Sequence, residues 1–460
     1  MSGLARSRSV RIACAIAVLA LWVGGSLHDV TARLPYPTRD DQIDNLEQAK
    51  TFTDRFVFYW RGPLYVAWLG GHLWLSGGDS PTAMYAEKIT SVLLLAALMA
   101  WLGHRLGGWR AGLLMGAWTV NCAVVERETT NNHMLAASLF TLSLVLLTSP
   151  AARRRLPWAL LALLLATQVR QEMWLVLGGA LLLVAVSPGR VWAGATWRAW
   201  AAPALVAGIV FGTIALRAGP PFPERTSFAF GQTFAKNYVE RHGLEARYPD
   251  AWTSFYEILG EHVPALTPYA RMSPLSALTN YPGELRDHLL QNVRFALRYV
   301  PALFLILEHP LLMLAFALAM GLLLAERRER RLTLACALPL AAIVTLALAG
   351  SGGLTNTRRP PALLVATVLA YTGYLGLAIV RDREGRWPGL RPEHRRLVLC
   401  WATLPLLILP LVIVFRVMFR HLLPLVPAGI FLAACLAAAV GLRVTTAIGG
   451  EPRPARTSPP

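Results

Sequence analysis

Four acidic side chains lie close together near the start of the chain: Asp40, Asp41, Asp44 and Glu47. They follow the first apolar run of the sequence. A carboxylate near a bilayer surface can accept a proton from a hydroxyl group or hold a divalent cation. The same pattern is also typical of a solvated helix start, in which Asp40 or Asp41 caps the N-terminus. The residues alone leave both interpretations open.

A second charged group consists of Glu126, Arg127 and Glu128, which lie between two apolar runs, with His133 following at the mouth of the next run. Charge at the buried end of a membrane helix is costly, so it is usually paired or functional. This makes Glu126, Glu128 and His133 candidates for binding an acceptor or a metal ion. An ordinary polar turn would explain the same residues equally well.

A third group consists of arginines on the predicted outer face of the membrane, with His421 beside the last of them. The positive-inside rule disfavours arginine on that face, so we expect a compensating partner. Guanidinium groups bind phosphate bidentately, so these arginines predict a phosphate or pyrophosphate partner. Pairing with nearby acids is the alternative, as for Arg170 with Glu172. The arginines are Arg61, Arg127, Arg170, Arg358, Arg359, Arg416 and Arg420. Arg358, Arg359, Arg416 and Arg420 have no acid close in sequence, which favours phosphate for these four.

The composition indicates an integral membrane protein. Of the 460 residues, 55% are hydrophobic and only 15% are charged, and the charges cluster between apolar runs. Repeated apolar runs of about 18 or more residues are typical of membrane spans. The net charge of +18 comes mostly from arginines in alternate loops, so we do not expect nucleic-acid binding. The five cysteines do not have the spacing of zinc ligands, and none lies in a loop where a disulfide bond would cross-link the chain.

The arginine-rich loops predict the orientation of the spans. The first apolar run, Ile12 to Leu27, follows Arg6, Arg8 and Arg11 and reads as an uncleaved span with a cytoplasmic N-terminus. The predicted inner loops are His104 to Arg110, Ala151 to Arg155, Gly189 to Arg198, Glu326 to Arg331, Arg381 to Arg396 and the tail after Arg443. The alternation predicts an all-α protein with about 12 spans and both termini inside.

Two long loops fall on the predicted outer face, at residues 28–81 and 217–298. Loops of this length usually carry function. Asp44 to Phe58 and Pro63 to Leu75 look like short amphipathic helices at the membrane surface. We predict one membrane domain over residues 1–445 and a disordered cytoplasmic tail over 446–460.

Three segments, in order, resemble the GT-C glycosyltransferases, closest to the protein mannosyltransferase and lipid A aminoarabinose transferase group. The run from Asp40 to Glu47, followed by Arg61-Gly62-Pro63-Leu64-Tyr65, is similar to the first outer loop of that family. The run from Glu126 to Leu135 resembles its second outer turn, with His133 near the place of an Asp. Phe419 to Pro427 resembles its Arg-Tyr-Leu-Leu-Pro-x-x-Pro segment, with Arg420 matching the arginine and His421 replacing the tyrosine.

This resemblance implies a transferase that moves a sugar from a polyprenyl-phosphate donor to an acceptor hydroxyl, with inversion. The active site would face the periplasm or cell exterior from the plasma (inner) membrane. Asp40 would be the general base, with Asp41 as the reserve. Arg61, Arg358, Arg359 and Arg420 would bind the donor phosphate. The second outer loop would shape the acceptor site, where its polar and aromatic side chains could bind sugar hydroxyls or pack within the loop; these are Gln232, Tyr238, Trp252, His262 and His288. No cofactor is required, although the acids are compatible with a divalent cation.

Other functions stay open. A lipid-linked glycan flippase or transporter also needs many spans, but it usually carries charged residues mid-span. A structural or assembly membrane protein without catalysis, which an inactive transferase would resemble, is a second alternative. A polymerase or ligase of lipid-linked glycans is a third. The sugar, the acceptor (a glycan, a lipid or a protein), the need for a metal and the oligomeric state cannot be read from the sequence.

Overall fold

The computed structural model describes residues 41–51, 62–122, 132–149, 152–187, 197–218, 225–267, 272–303, 392–415 and 422–447. This part of the chain is 86% helical and contains no strand, so the predicted all-α class is confirmed. Two of its helices, Ser80–Trp109 and His394–Phe415, are long and apolar enough to cross a membrane. Four shorter apolar helices accompany them. The total of about 12 spans stays a prediction.

The described helices fall into three consecutive groups. The first is α1 (Asp41–Lys50), α2 (Pro63–Leu75), α3 (Ser80–Asn121), α4 (Asn132–Leu147), α5 (Ala152–Thr167), α6 (Met173–Val186) and α7 (Trp197–Ala218). The second is α8 (Arg225–His242), α9 (Phe255–His262), α10 (Pro274–Asn280) and α11 (Pro282–Leu303). The third is α12 (Pro392–Thr403), α13 (Ile408–Phe415) and α14 (Leu425–Ala447).

Helices α1 and α2 fold back onto the start of α3. Pro63 at the first turn of α2 favours a helix start, and Asp79 caps α3 by accepting a hydrogen bond from the Thr82 amide at 3.1 Å. One apolar cluster joins the three helices; it contains Leu46, Ala49, Val66, Leu69, Leu73, Ala83 and Met84. The predicted bounds of α2, Pro63 to Leu75, are those that the structure shows. The other predicted helix begins at Asp41, earlier than expected, and residues 52–61 lie outside the described residues.

Helix α3 is a tight hairpin of two helices. The chain turns at Gly107 and Gly108, and Gly108 has a φ of 77°, which favours glycine. The two arms pack closely, because a Cβ on Gly103 would lie 2.5 Å from the Ala111 carbonyl oxygen and one on Gly112 2.7 Å from that of Ala100. The turn falls within the loop His104 to Arg110, where the arginine pattern predicts one.

The remaining apolar helices pack into one bundle. Helices α4 and α5 form the most extensive helix pair, and α3, α6, α12, α13 and α14 complete the bundle. A buried hydrogen bond from the Trp401 indole to the Ser143 hydroxyl, at 3.0 Å, connects α12 to α4. This bond holds together helices that are far apart in sequence.

Helices α8 to α11 form a separate subdomain in the predicted second outer loop. It has its own apolar core, built around Phe230, Phe234, Phe255 and Ile258. Its contact with the bundle runs from α8 and α11 to α13, the end of the candidate span His394–Phe415. The segment is therefore a folded unit rather than an extended connection.

Candidate functional site

Most of the site residues that the sequence predicts lie outside the described residues. They are Asp40, Arg61, Glu126, Glu128, Arg358, Arg359 and Arg420. The placement of the predicted base and of the predicted phosphate-binding arginines therefore stays a prediction. The described neighbours of these residues show which elements would position them.

The acidic segment leads into helix α1. Asp41 is the first residue of α1, which agrees with the predicted helix start at the acids. Four residues later Asn45 is buried, with 1% of its surface exposed, and Leu46 and Ala49 enter the apolar cluster with α2 and α3. Lys50 and Glu47 form an exposed ion pair at 2.9 Å on the other side of the helix. The acid-bearing helix is thus packed against the protein along one face.

Gly62 anchors the start of α2 against the turn between α5 and α6. A Cβ at this position would lie 2.3 Å from the Val169 carbonyl oxygen and 2.4 Å from that of Gln168, so only glycine fits. The Leu64 amide donates to the Gln168 carbonyl at 3.1 Å. Arg61 directly precedes Gly62 in the sequence, so the backbone that leads to this arginine is held at the α5–α6 turn.

Arg170, in the same turn, is paired with an acid. Its Nε donates to the Glu172 carboxylate at 3.1 Å, and a second, shorter bond joins its Nη2 to the other carboxylate oxygen. This bidentate geometry is the one that best matches guanidinium to carboxylate. The ion-pair interpretation of Arg170 is therefore confirmed, and this arginine is already occupied by a carboxylate.

The N-terminal part of the candidate span Ser80–Trp109 contains polar residues that the sequence patterns do not single out. Glu87 and Lys88 are both buried, and the Ser91 hydroxyl donates to the Glu87 carboxylate at 2.8 Å. A long apolar run that contains only two charged residues still reads as a membrane span. The hydropathy of the sequence therefore gave no signal for these two residues. Glu87 and Lys88 lie about two turns after Ser80, which is roughly 10 Å along the axis from the start of the helix.

His72 links α2 to this part of α3. Its Nδ1 lies 2.9 Å from the Trp68 carbonyl oxygen, and its Nε2 lies 2.8 Å from the Thr90 hydroxyl. A carbonyl oxygen can only accept, so Nδ1 carries the proton in this arrangement. The side chain therefore fixes how α2 sits on the span.

His133 lies in the first turn of α4 and is buried, as is its neighbour Asn132. Its position at the mouth of the helix agrees with the sequence prediction. The near end of α14 is also buried, with Leu422 and Leu423 fully enclosed, two and three residues after Arg420. Both segments that resemble the glycosyltransferase motifs therefore enter the bundle core directly.

A buried polar network joins the subdomain of α8 to α11 to the end of α13. His288 Nε2 donates to the Val414 carbonyl at 3.0 Å, and Nδ1 accepts from the Asn237 amide at 2.9 Å. Asn237 also donates to Asn292 at 3.0 Å, and Asn292 donates to the Ile413 carbonyl at 2.7 Å. Burial lowers the pKa of His288 to about 4, so the ring is neutral at pH 7. His288 is therefore a structural contact and does not face a ligand.

The other four residues proposed for sugar hydroxyls lie nearer the surface of the subdomain. Tyr238 stacks on His262 with ring centroids 5.3 Å apart. Trp252 is half-buried, with the Lys236 ammonium 5.5 Å from its ring, and its carbonyl accepts from Gln232 at 3.4 Å. Aromatic faces of this kind can pack on sugar rings, but their contacts here are made within the subdomain.

Comparison with known proteins adds no assignment. No family model matches the chain, no curated protein matches it, and no solved structure matches it. Within the described residues, no group of three or more His, Cys, Asp or Glu side chains is placed to hold a metal ion. The function is therefore argued from the chain's own residues.

Proposed function

We propose that the protein is an integral membrane glycosyltransferase that moves a sugar from a polyprenyl-phosphate donor to an acceptor hydroxyl. The reaction takes place on the extracytoplasmic face of the plasma membrane and inverts the anomeric carbon. The lipid tail of the donor stays in the bilayer, and its phosphosugar lies at the interface. The resemblance to GT-C enzymes motivates the chemistry, and the packing of the first outer loop supports it.

The observation that carries the proposal is the docking of α1 and α2 on the bundle. Two segments of the resemblance, the acids at the start of α1 and the run from Gly62 to Tyr65, lie on helices that share one apolar cluster with the outer end of Ser80–Trp109. Gly62 also touches the α5–α6 turn, which the arginine pattern assigns to the same face. An acidic helix held at the mouth of a span suits a base that must meet a substrate from the lipid.

Each residue would have a distinct task. Asp40, or Asp41 in its place, would remove the proton from the acceptor hydroxyl as its oxygen attacks the anomeric carbon. The bond from that carbon to the phosphate oxygen breaks, and the lipid phosphate leaves as a monoester. Arg61, Arg358, Arg359 and Arg420 would stabilise the charge that develops on it. The base contributes about 10²–10⁴ in rate.

One observation favours the transporter alternative, namely the buried Glu87 and Lys88 inside a candidate span. Transport sites usually lie near the middle of the membrane, where buried charges bind the cargo. These two residues lie about 10 Å from the start of a 30-residue helix that is about 45 Å long, which places them in its first third. Glu87 and Lys88 therefore lie near the end of the helix on which α1 and α2 pack, and not at the middle of the membrane where a transport site is expected.

The test compares membrane glycolipids, by mass spectrometry, in cells with and without the gene and in cells that carry variants. We expect Asp40→Asn or Asp41→Asn to abolish the gene-dependent product while expression is retained. Asp79→Asn is the matched control, since Asp79 is an acid near the same end of the span and asparagine caps a helix equally well.

Wild-type amounts of product from all three variants would refute the assignment of the base. The transporter alternative is tested separately, with sealed vesicles that contain a lipid-linked sugar and no added acceptor. Protein-dependent movement of the lipid-linked sugar across that membrane, together with an unchanged glycolipid profile, would replace the transferase with a flippase.

A further inference from the structure

Three bundle helices each carry an exposed tryptophan beside an arginine near one end. In every pair the arginine lies nearer to the end of the helix, and the tryptophan lies two to four residues further in. The three tryptophan side chains are between 38% and 43% exposed. The pairs are Arg105 with Trp101 at the end of the first arm of α3, Arg154 with Trp158 at the start of α5, and Arg198 with Trp200 at the start of α7.

The arginine pattern places all three pairs at the predicted inner border of the membrane. The first arm of α3 ends at the turn of Gly107 and Gly108, inside one arginine-rich segment, and α5 and α7 each begin in or directly after another. Tryptophan is enriched at the level of the lipid headgroups, and arginine on the cytoplasmic side. The order within each pair, with the arginine outermost, is the one that this border requires.

The charge at these helix ends is positive throughout. Residues 98–110, 152–158 and 197–201 contain six arginines and no aspartate or glutamate. In α5 three consecutive arginines, at positions 153 to 155, lie in the first turn, where the helix dipole disfavours positive charge. An anionic partner would offset both effects. Guanidinium groups match phosphate bidentately, and the phosphates found at this depth of a membrane belong to phospholipid headgroups.

The surface beside the pairs of α5 and α7 is apolar. Helices α6 and α7 both pack on α5. Helix α6 exposes Leu182 and Val186 near its C-terminal end, and α7 exposes Leu205 and Ile209 further along the helix. This arrangement matches a phospholipid from top to bottom, with arginines at the headgroup, tryptophans below them and aliphatic side chains along the acyl chains.

We propose that the Arg–Trp pairs of α5 and α7 bind an anionic phospholipid of the inner leaflet. Arg154 and Arg198 contact the headgroup phosphate, and Trp158 and Trp200 lie at the level of the glycerol backbone. A headgroup with net negative charge is favoured over a zwitterionic one, because these helix ends offer no carboxylate to the cation of choline or ethanolamine. The inference concerns the inner end of the bundle and does not depend on the transferase function proposed above.

The experiment measures lipid-dependent stability of the purified full-length chain in a neutral detergent. Dioleoyl phosphatidylglycerol and dioleoyl phosphatidylcholine are titrated separately into the micelles, and the readout is the rise in melting temperature. We expect phosphatidylglycerol to raise it several degrees more than phosphatidylcholine does. The difference should shrink as the salt concentration rises, because screening weakens the contact between the arginines and the phosphate. Inorganic phosphate without lipid should have no effect.

Two variants test the arginines directly. Arg154→Gln and Arg198→Gln should each raise the half-saturating amount of phosphatidylglycerol about 5-fold, since each removes one basic residue near the membrane surface. Both side chains are exposed, so the melting temperature in phosphatidylcholine should equal that of the wild type. Arg286→Gln is the matched control, because Arg286 is an exposed arginine of the subdomain of α8 to α11. It should leave the response to phosphatidylglycerol unchanged.

Several results would overturn the proposal. Equal stabilisation of the wild type by the two lipids would remove the preference for an anionic headgroup, as would an equal effect of inorganic phosphate. A wild-type response in both Arg154→Gln and Arg198→Gln would place any bound lipid elsewhere. A lipid-free chain that elutes as a dimer, and that becomes a monomer in Arg198→Gln, would assign the α7 surface to a second copy of the chain.

Discussion

Replacing Gly62 with alanine should disturb the candidate site through one close backbone contact. The added Cβ would lie 2.3 Å from the Val169 carbonyl oxygen, which is about 1 Å closer than the 3.4 Å at which ordinary contact begins. Backbone atoms on both sides meet here, so no side chain can rotate away to make room. The start of α2 must therefore move by about 1 Å, and the hydrogen bond from Leu64 to Gln168 must lengthen.

The size of the effect follows from this displacement. Forcing one extra carbon into a packed contact costs about 1–3 kcal/mol of stability. A 1 Å displacement of a group that positions the reactants can cost about 10²-fold in rate. Because Arg61 directly precedes Gly62, we expect the Gly62→Ala variant to lose about 10²-fold in product and to melt a few degrees below the wild type.

Gly71→Ala is the matched control, because Gly71 lies inside α2, the helix that Gly62 precedes, and a Cβ there would meet nothing within 4 Å. Alanine is favoured over glycine inside a helix by about 0.5–1 kcal/mol, so this variant should be slightly more stable than the wild type. The assay combines a thermal unfolding scan of the detergent-solubilised protein with the yield of the gene-dependent glycolipid. Equal stability and equal yield for the two variants would refute the close contact at Gly62.

Three further predictions concern charge, pH and orientation. Arg170→Gln should lower the glycolipid yield no more than a few fold, because its guanidinium is occupied by a carboxylate, whereas Arg420→Gln should lower it by about 10²-fold or more; similar losses in both would contradict the phosphate role. His288 has a folded pKa below its ordinary value of 6.5, so its contribution to stability is present above pH 6.5 and is lost as the pH falls toward 4. Over that window the loss is about 3 kcal/mol, and a pH series of melting temperatures should show a flatter slope for His288→Gln. In a cysteine-free background, a membrane-impermeant maleimide should label Ser254→Cys in intact cells but should label Arg154→Cys only after lysis, and the reverse result would invert the topology.

The sequence predicts local structure well where one physical pattern acts within a few residues. The bounds of α2 follow from a proline at its start and an apolar run that ends at Leu75. The hairpin turn within α3 follows from paired glycines inside an arginine-rich loop. The ion pair of Arg170 with Glu172 follows from two opposite charges two residues apart. In each of these cases the residues that determine the structure lie close together in the sequence.

The sequence misses contacts between residues that are far apart in the chain. The partners of His288 are Asn237, 51 residues away, and the Val414 carbonyl, 126 residues away. No window on the sequence contains both, so sugar binding and packing could not be separated for this histidine. The spacing of His288 and Asn292 by four residues gave a partial signal, since it places two polar side chains on one face of α11.

The α1–α2 pair and the subdomain of α8 to α11 are attached to the bundle by different physical means, and this difference predicts which one moves. At Gly62 backbone touches backbone, so α2 cannot shift without losing a contact that nothing replaces. At His288 the attachment is a set of hydrogen bonds between neutral groups, with the Phe415 ring packed 6.2 Å from that of Phe230. Water can satisfy the same hydrogen-bond donors and acceptors if the two parts separate. We therefore expect the subdomain of α8 to α11 to open for substrate while α1 and α2 stay fixed. Hydrogen exchange should be faster at the α11–α13 contact than at the start of α2, and the opposite order would contradict this assignment.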